Sequence, residues 1–307
     1  MQTNPKVSIC IPTYNNAEEV ERLLQSISVQ EYKDYEVNIS DDSTNNAIEQ
    51  LVAQYPHIHY IHNQKPYGHI FNWNKAIQMA QGEYIKIMFS DDWFTEPNSL
   101  GEFVKLLEAN PKAMLAFSGS RQIMVRRNGE MQHVTKEHFI SSYDRYAPTQ
   151  FIEELRQDYR LLFLGNQIGA PSATIYRRGN KPALFDEKSN WASDMFLYFD
   201  LLKGNGQFAY TEAPLVSIGV HDNQYTESFS EKDMRIYNDY RYMYTKYQLK
   251  ECKECREYFL GKYIIKYNQG IKEARALGIE ARLYRKKLAA EWKESVRCFV
   301  RHRFGNK

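Results

Sequence analysis

The sequence predicts an α/β protein: a mostly parallel central sheet flanked by helices, with a helical C-terminal extension. Three observations carry that prediction. Over the first 120 residues, short apolar runs of strand type alternate with stretches whose apolar residues recur at helical spacing. Clusters of small polar residues follow the first, second and fourth of those runs. After about Glu231 the chain turns helical, tyrosine-rich and charged. Strands alternating with helices form βαβ units, which place parallel strands in a sheet covered on both faces.

In order, residues 7–11 (VSICI) form a β-type run. Asn15-Asn16 offers a helix cap, Glu18 and Glu19 suit a first turn, and Val20, Leu23, Leu24 and Ile27 share a face. Residues 35–40 read as a second strand, 44–54 as a short helix and 58–62 as a third strand. Over 70–81, Trp73, Ala76, Ile77 and Ala80 share a face, and Gly82 stands where a helix C-terminus favours glycine. Residues 84–89 (YIKIMF) are a fourth strand, 99–109 a helix and 113–118 a fifth strand. The stretch 120–230 is less regular, with GNQIGAP at 165–171 and a strand at 172–176. The expected division is a body of 1–230, in halves 1–120 and 121–230, then a helical region 231–307.

Composition narrows the classes. Lys+Arg number 40 against 38 Asp+Glu, a net charge of +2, which argues against a nucleic-acid coat protein. No stretch reaches the roughly 18–20 apolar residues of a membrane span. The opening MQTNPKVSIC has neither an apolar core nor a small-residue cleavage site, so no signal peptide is expected. The four cysteines are too sparse for a disulfide scaffold, and Cys252 and Cys255, lacking a second pair, read as ordinary thiols. A cytoplasmic protein, soluble or peripheral on the membrane's inner face, is the expectation.

In parallel sheets ligands bind beyond the carboxyl ends of the strands. The clusters 12–16, 41–43 and 91–92 lie there and should converge on one crevice. Asp91-Asp92 suits a hard divalent cation, which takes oxygen ligands, although such a pair also occurs in solvated turns. No GxGxxG or GxxxxGK[ST] is present, so any bound phosphate requires a metal rather than a glycine cradle.

VSICIPTYNN (7–16), VNISDDST (37–44), Asn63, Gly68 and NWNKAIQMAQGEYIKIMFSDDW (72–93) together resemble the family 2 glycosyltransferases of the GT-A fold. The likeness spans about 1–120 and continues more weakly to about 230. It implies an inverting transfer from a nucleotide sugar, most often a UDP-sugar, with Mn²⁺ or Mg²⁺. It places Pro12, Tyr14 and Asn15 around the nucleoside and Asp41 at the base, beside Asp42. It puts Asn74 and Lys75 near the diphosphate, Asp91 towards the ribose or sugar, and Asp92 on the metal with His221. Many members read Asp-x-Asp-Asp where this chain has Phe89-Ser90-Asp91-Asp92, so the first acid is missing. The general base is expected at Asp194, with Asp186 and Asp200 as fallbacks; residues 169–172 match segments on the acceptor side.

Trp191 could stack on a sugar or simply pack. In the tail, Tyr284, Leu288, Trp292, Val296 and Phe299 recur at helical spacing among basic residues over 282–303. That pattern suits either an anionic membrane surface or packing on protein, including a second copy. The expected partners are a nucleotide-sugar donor and a glycan or lipid-linked acceptor. Two further readings are a nucleotidyltransferase making a sugar nucleotide and a catalytically silent sugar-nucleotide binder. The first usually has a basic glycine-rich loop where this chain has PTYNN; the second would lack a competent base.

Overall fold

A computed structural model describes residues 4–125, 139–220 and 229–304. The chain divides into two compact units. The first comprises 1–159, 166–189 and 193–228; the second comprises 160–165, 190–192 and 229–307.

The first unit holds a nine-stranded sheet among the described residues. Its strands are β1 (Val7–Thr13), β2 (Tyr35–Asp41), β3 (Ile58–His62), β4 (Tyr84–Ile87), β5 (Trp93–Phe94), β6 (Leu115–Val125), β7 (Phe139–Arg145), β8 (Thr174–Arg177) and β9 (Phe208–Val220). The order is β3-β2-β1-β4-β8-β6-β9-β5, with β7 also on β6. Pairings β1–β2, β2–β3, β1–β4 and β6–β9 are parallel. β8 runs antiparallel to both β4 and β6. It follows that β1–β4, β6 and β9 point one way and β5, β7 and β8 the other, so the sheet is mixed but mostly parallel.

Helices α1 (Ala17–Ser28), α2 (Ala47–Val52), α3 (His69–Gln78), α4 (Ser99–Ala109), α5 (Thr149–Gln157) and α6 (Ser193–Leu202) belong to this unit. The apolar stripes of α1 (Val20, Leu23, Leu24, Ile27) and α4 (Leu100, Phe103, Val104, Leu107) share one buried core with Val7, Ile9 and Ile11 of β1. The alternation read from the sequence is therefore the sheet's first half. Two local expectations differ. Asn16 makes no side-chain cap on α1, because its amide donates to Ser90 Oγ and its Oδ1 accepts from Tyr14 N. Helix α3 stops at Gln78 before Gly82, whose missing Cβ instead lets it lie against β1: a Cβ there would be 2.8 Å from Ser8 N.

The second unit carries α7 (Met234–Lys246), α8 (Lys253–Phe259), a π-helical turn Leu260–Ile265, α9 (Ile271–Ala276) and α10 (Ala281–Phe304). Its tyrosines are its core. Tyr240 stacks on Tyr263 at 4.1 Å and Tyr244 on Phe259 at 4.4 Å, with Phe163 against both pairs. Trp191 belongs to the same cluster, 6.2 Å from Tyr240, which is the packing alternative. Buried Asp239 accepts from the backbone N–H groups of Asn190, Trp191 and Ala192, fixing that loop. Cys252 and Cys255 are free thiols; the first caps α8 by accepting from Cys255 N, and the second donates to Arg160 O.

Candidate active site

The loops after β1, β2 and β4 are tied to one another by side chains. Thr13 Oγ1 donates to Asp41 Oδ1 at 3.0 Å. Asn15 Oδ1 accepts from Thr44 N and Asn45 Nδ2, while Asn15 N donates to Ser43 Oγ. Asn15 has φ +54°, a left-handed conformation that asparagine tolerates better than most residues. Asn16 reaches Ser90, and Arg22, lying over the Trp93 ring at 4.4 Å, donates to the Asp91 carbonyl at 3.3 Å. The three clusters thus converge as the topology requires. Pro12 is buried at this junction and Tyr14 is 54% exposed.

The adjacent acids after β2 face different partners. Asp41 is fully buried; Oδ1 accepts from Thr13, Ser43 N and Ser43 Oγ, and Oδ2 from the Tyr60 hydroxyl at 2.7 Å. Asp42 Oδ2 accepts from Tyr67 N and Gly68 N, and Oδ1 from Asn63 Nδ2 at 2.8 Å. Asp42 therefore orders the loop entering α3, where Gly68 sits at φ +95°. This explains why Asn63 and Gly68 accompany the acid pair in the sequence.

Asn74 spends both ends of its amide on the Phe185 backbone, accepting from Phe185 N at 2.8 Å and donating to Phe185 O at 3.0 Å. Its side chain is committed to that loop, and the neighbouring Lys75 is half-buried. Phe185 in turn meets Trp73 at 4.8 Å, as does Phe89. Phe89, which opens the Phe89-Ser90-Asp91-Asp92 run, is thus part of an aromatic cluster.

Asp92 is only 3% exposed, so it is no solvated turn residue, whereas Asp91 is partly exposed. Asp92 accepts from Gly219 N at 3.3 Å and from the Ser172 hydroxyl. Burial, then the charge of Asp91, pushes its carboxyl well above the usual carboxylate range; Ser172, Gly219 and Lys86 pull the other way. Lys86, wholly buried, donates to the Ser172 carbonyl and lies 4.5 Å from the Phe103 ring; burial lowers its ammonium against the pull of Asp92. Strand β9 passes so close that a Cβ on Gly219 would stand 2.7 Å from the Asp91 carbonyl.

A divalent cation fits this pair. The donors are carboxylate oxygens, and the ion would offset the like-charge repulsion and desolvation that now disfavour charged Asp92. Among the described residues no group of three or more His, Cys, Asp and Glu side chains forms a complete cage. His221 lies outside the described residues.

Asp194 opens α6 in a second cluster. Its Oδ1 accepts from Met195 N at 2.7 Å and its Oδ2 from Asn166 Nδ2 at 2.5 Å. Burial raises its carboxyl to about 6, against the lowering effect of those hydrogen bonds and of Arg145. The fallback acids are engaged elsewhere: Asp186 Oδ1 accepts from Lys188 N, and Asp200 pairs with Lys203 at 2.9 Å. One segment joins the two carboxylate centres, since Asn166 holds Asp194 and Ser172 holds Asp92. Six residues span at most about 22 Å, which bounds the separation of the Asn166 and Ser172 Cα atoms. Lys86, Ser172 and Gly219 were not singled out from the sequence as support for the acid pair. The signal was present for Lys86, a lone charge inside an apolar strand run.

The Escherichia coli (strain K12) protein WcaA, named as a colanic acid biosynthesis glycosyl transferase, is 38% identical over 108 residues, 34% of this chain and 38% of that protein. The chain thus spans well under half the length of that relative. Staphylococcus aureus TarS (residues 1–349), solved with UDP-GlcNAc, superimposes with a TM-score of 0.60 over 92% of this chain and 79% of that one, at 17% identity. The mannosyltransferase PcManGT of Pyrobaculum calidifontis, solved with GDP-Man and Mn²⁺, gives 0.56 over 100% and 89%, also at 17%. At such identity these likenesses establish the fold, the GT-A type. The family model for glycosyl transferase family 2 matches residues 8–180, more than half of the sequence, and this chain belongs to that family.

Proposed function

We propose that the chain is a metal-dependent, inverting glycosyltransferase. It moves one sugar from a nucleotide sugar, a UDP-sugar by preference, to a hydroxyl of a glycan or lipid-linked acceptor in surface polysaccharide synthesis. The observation that carries this reading is the pairing of an acid pair at a strand end, Asp92 of it buried, with Asp194, a carboxyl poised near neutrality, through the segment 166–172. WcaA supports the polysaccharide context, the TarS complex supports a uridine donor, and the PcManGT complex supports Mn²⁺.

In this mechanism Asp194 accepts the proton of the acceptor hydroxyl as its oxygen attacks the anomeric carbon. The carbon–oxygen bond to the diphosphate breaks on the opposite face, its electron pair leaves with the nucleoside diphosphate, and configuration inverts. Asp91 and Asp92 would hold Mn²⁺ or Mg²⁺, which when bound neutralises charge on the departing diphosphate. Pro12, exposed Tyr14 and Asn15 form the nucleoside side. Asp41 is assigned to the base; in the free chain it is buried and braced by Thr13, Ser43 and Tyr60, so reading the base requires this junction to open.

A thermal-shift panel of UDP-, GDP- and dTDP-sugars with and without Mn²⁺ tests the donor. With ligand at 100-fold over Kd, stabilisation is about 2.7 kcal/mol and the melting point rises by a few degrees. The expected ranking puts a UDP-sugar with Mn²⁺ first. A rise with GDP-sugars alone overturns the uridine preference, and no rise with any of them overturns the donor reading.

We also place a peripheral membrane contact on α10. Lys287 and Glu291 pack towards Gly261, whereas Leu288 (43% exposed) and Trp292 (69% exposed) face outward among Arg285, Lys286 and Lys293. Val296, Phe299 and the basic residues beyond Lys293 lie where no side chain is described. Among the described residues no helix is long and apolar enough to cross a membrane. Trp292→Ala combined with Arg285→Glu and Lys286→Glu should cut co-sedimentation with anionic vesicles several-fold; unchanged sedimentation favours a protein contact, such as a second copy.

A further inference from the structure

Asn166 uses every polar atom of its side chain. Oδ1 accepts from Gly169 N at 3.0 Å; Nδ2 donates to Gly169 O at 3.2 Å and to Asp194 Oδ2 at 2.5 Å. Its backbone carbonyl accepts from Arg145 Nη2 at 3.0 Å. Gly169 sits at φ +103°, and a Cβ there would stand 2.6 Å from Arg145 Nη1, so only glycine both makes this turn and leaves room for the guanidinium. The Gly169 carbonyl also accepts from the Tyr198 hydroxyl at 2.9 Å, and Tyr198 lies one turn beyond Asp194 on α6. The contacts close a ring: Asp194, Asn166, Gly169, Tyr198 and back along the helix.

The Asp194 carboxylate therefore accepts from Met195 N, from Asn166 and from its own backbone N–H, and keeps lone-pair capacity for an incoming hydroxyl. We propose that Asn166, seated by Arg145 and Gly169, is the positioning residue of the general base: it fixes Asp194 Oδ2 and favours its charged form. The proposal rests on the reading of Asp194 as base. A charged acceptor gains more from a donated hydrogen bond than a neutral one. The groups facing Asp194 are Arg145, from β7, whose charge acts in the same direction, and Tyr198, from its own helix, whose burial raises the phenol and keeps it neutral.

The test is an NMR titration of chain carrying ¹³C-labelled aspartate carboxyls, the Asp194 signal being the one lost in Asp194→Asn. Wild type titrates near 6. Asn166→Ala moves the midpoint up by about one pH unit, a tenfold change in proton affinity. Arg145→Met also raises it, and Arg145→Lys restores it. A folded Asn166→Ala chain whose Asp194 titrates as in wild type overturns the proposal; if that variant does not fold, an unmoved midpoint in Arg145→Met does so. The acid limb of turnover, measured with whichever sugar nucleotide the panel selects, should move with the signal. A limb that stays while the signal moves overturns Asp194 as base, and separates that failure from a failure of the Asn166 contact.

Discussion

Asp194→Asn should leave nucleotide-sugar binding nearly unchanged while turnover falls by about 10²–10⁴-fold, the usual contribution of a positioned base. Wild-type turnover should itself fall about tenfold per pH unit below about 6, where the carboxyl takes up a proton. The same residue makes a stability prediction of definite sign. Burial raises the folded-state value from the ordinary 3.8 to about 6, so the native chain binds this proton more tightly than the unfolded chain. The stabilisation is fully present below about 4 and is lost as pH rises through 6. At pH 8 the charged carboxylate costs the fold at most about 3 kcal/mol, less whatever partial exposure returns. Asparagine relieves that cost, though its amide faces the Asn166 amide and loses part of the gain. The variant should therefore melt at or above wild type at pH 8 while being nearly inactive. A carboxylate placed only to favour the helix N-terminus would give the reverse, normal turnover and a lower melting point. Calorimetric donor binding, melts at pH 5 and 8, and initial rates decide between them, and turnover by the wild type already excludes the silent-binder reading.

How legible this was depends on the range of the interaction. Residues 7–118 announce their elements, the two-residue β5 excepted, because burial and helix periodicity are local properties, and the apolar stripe of Val20, Leu23, Leu24 and Ile27 is buried as its spacing requires. The insertion of β8 between β4 and β6 was not legible, because strand order depends on partners about 60 to 90 residues apart. Polar loop residues were legible as a group but not by task. Asn15 and Asn16 read as helix caps yet bridge between loops, and nothing in the spacing around Asn74 announces its bonds to Phe185. An amide's role is set by what lies opposite it in space, which spacing along the chain does not record. Asp194 is expected as the base through family resemblance alone; the groups that face it, Asn166 and Arg145, come from a loop and a strand that carry no local signature.

Asp92→Asn should invert the order of stability with and without ligand. In the free chain, charged Asp92 is disfavoured first by burial and then by Asp91, with only partial relief from Ser172, Gly219 and Lys86. Asparagine keeps the shape and can still accept from Gly219 N, so the free variant should melt at or above wild type. With Mn²⁺ and the preferred nucleoside diphosphate the order should reverse, because a neutral amide oxygen is a weaker ligand for a hard cation than a carboxylate. Metal-dependent affinity should fall at least tenfold, about 1.4 kcal/mol, while metal-independent binding of the nucleoside changes little. Asp92→Ala is the harsher case: it removes Lys86's carboxylate partner and takes the acceptor from the buried Ser172 hydroxyl proton, whose oxygen keeps only the Phe89 N–H, so it should destabilise the free chain as well. Equal Mn²⁺-dependent affinity in wild type and Asp92→Asn, measured by calorimetry, would assign Asp92 to holding β9 against the strand end and leave Asp91 as the acid that meets the ion.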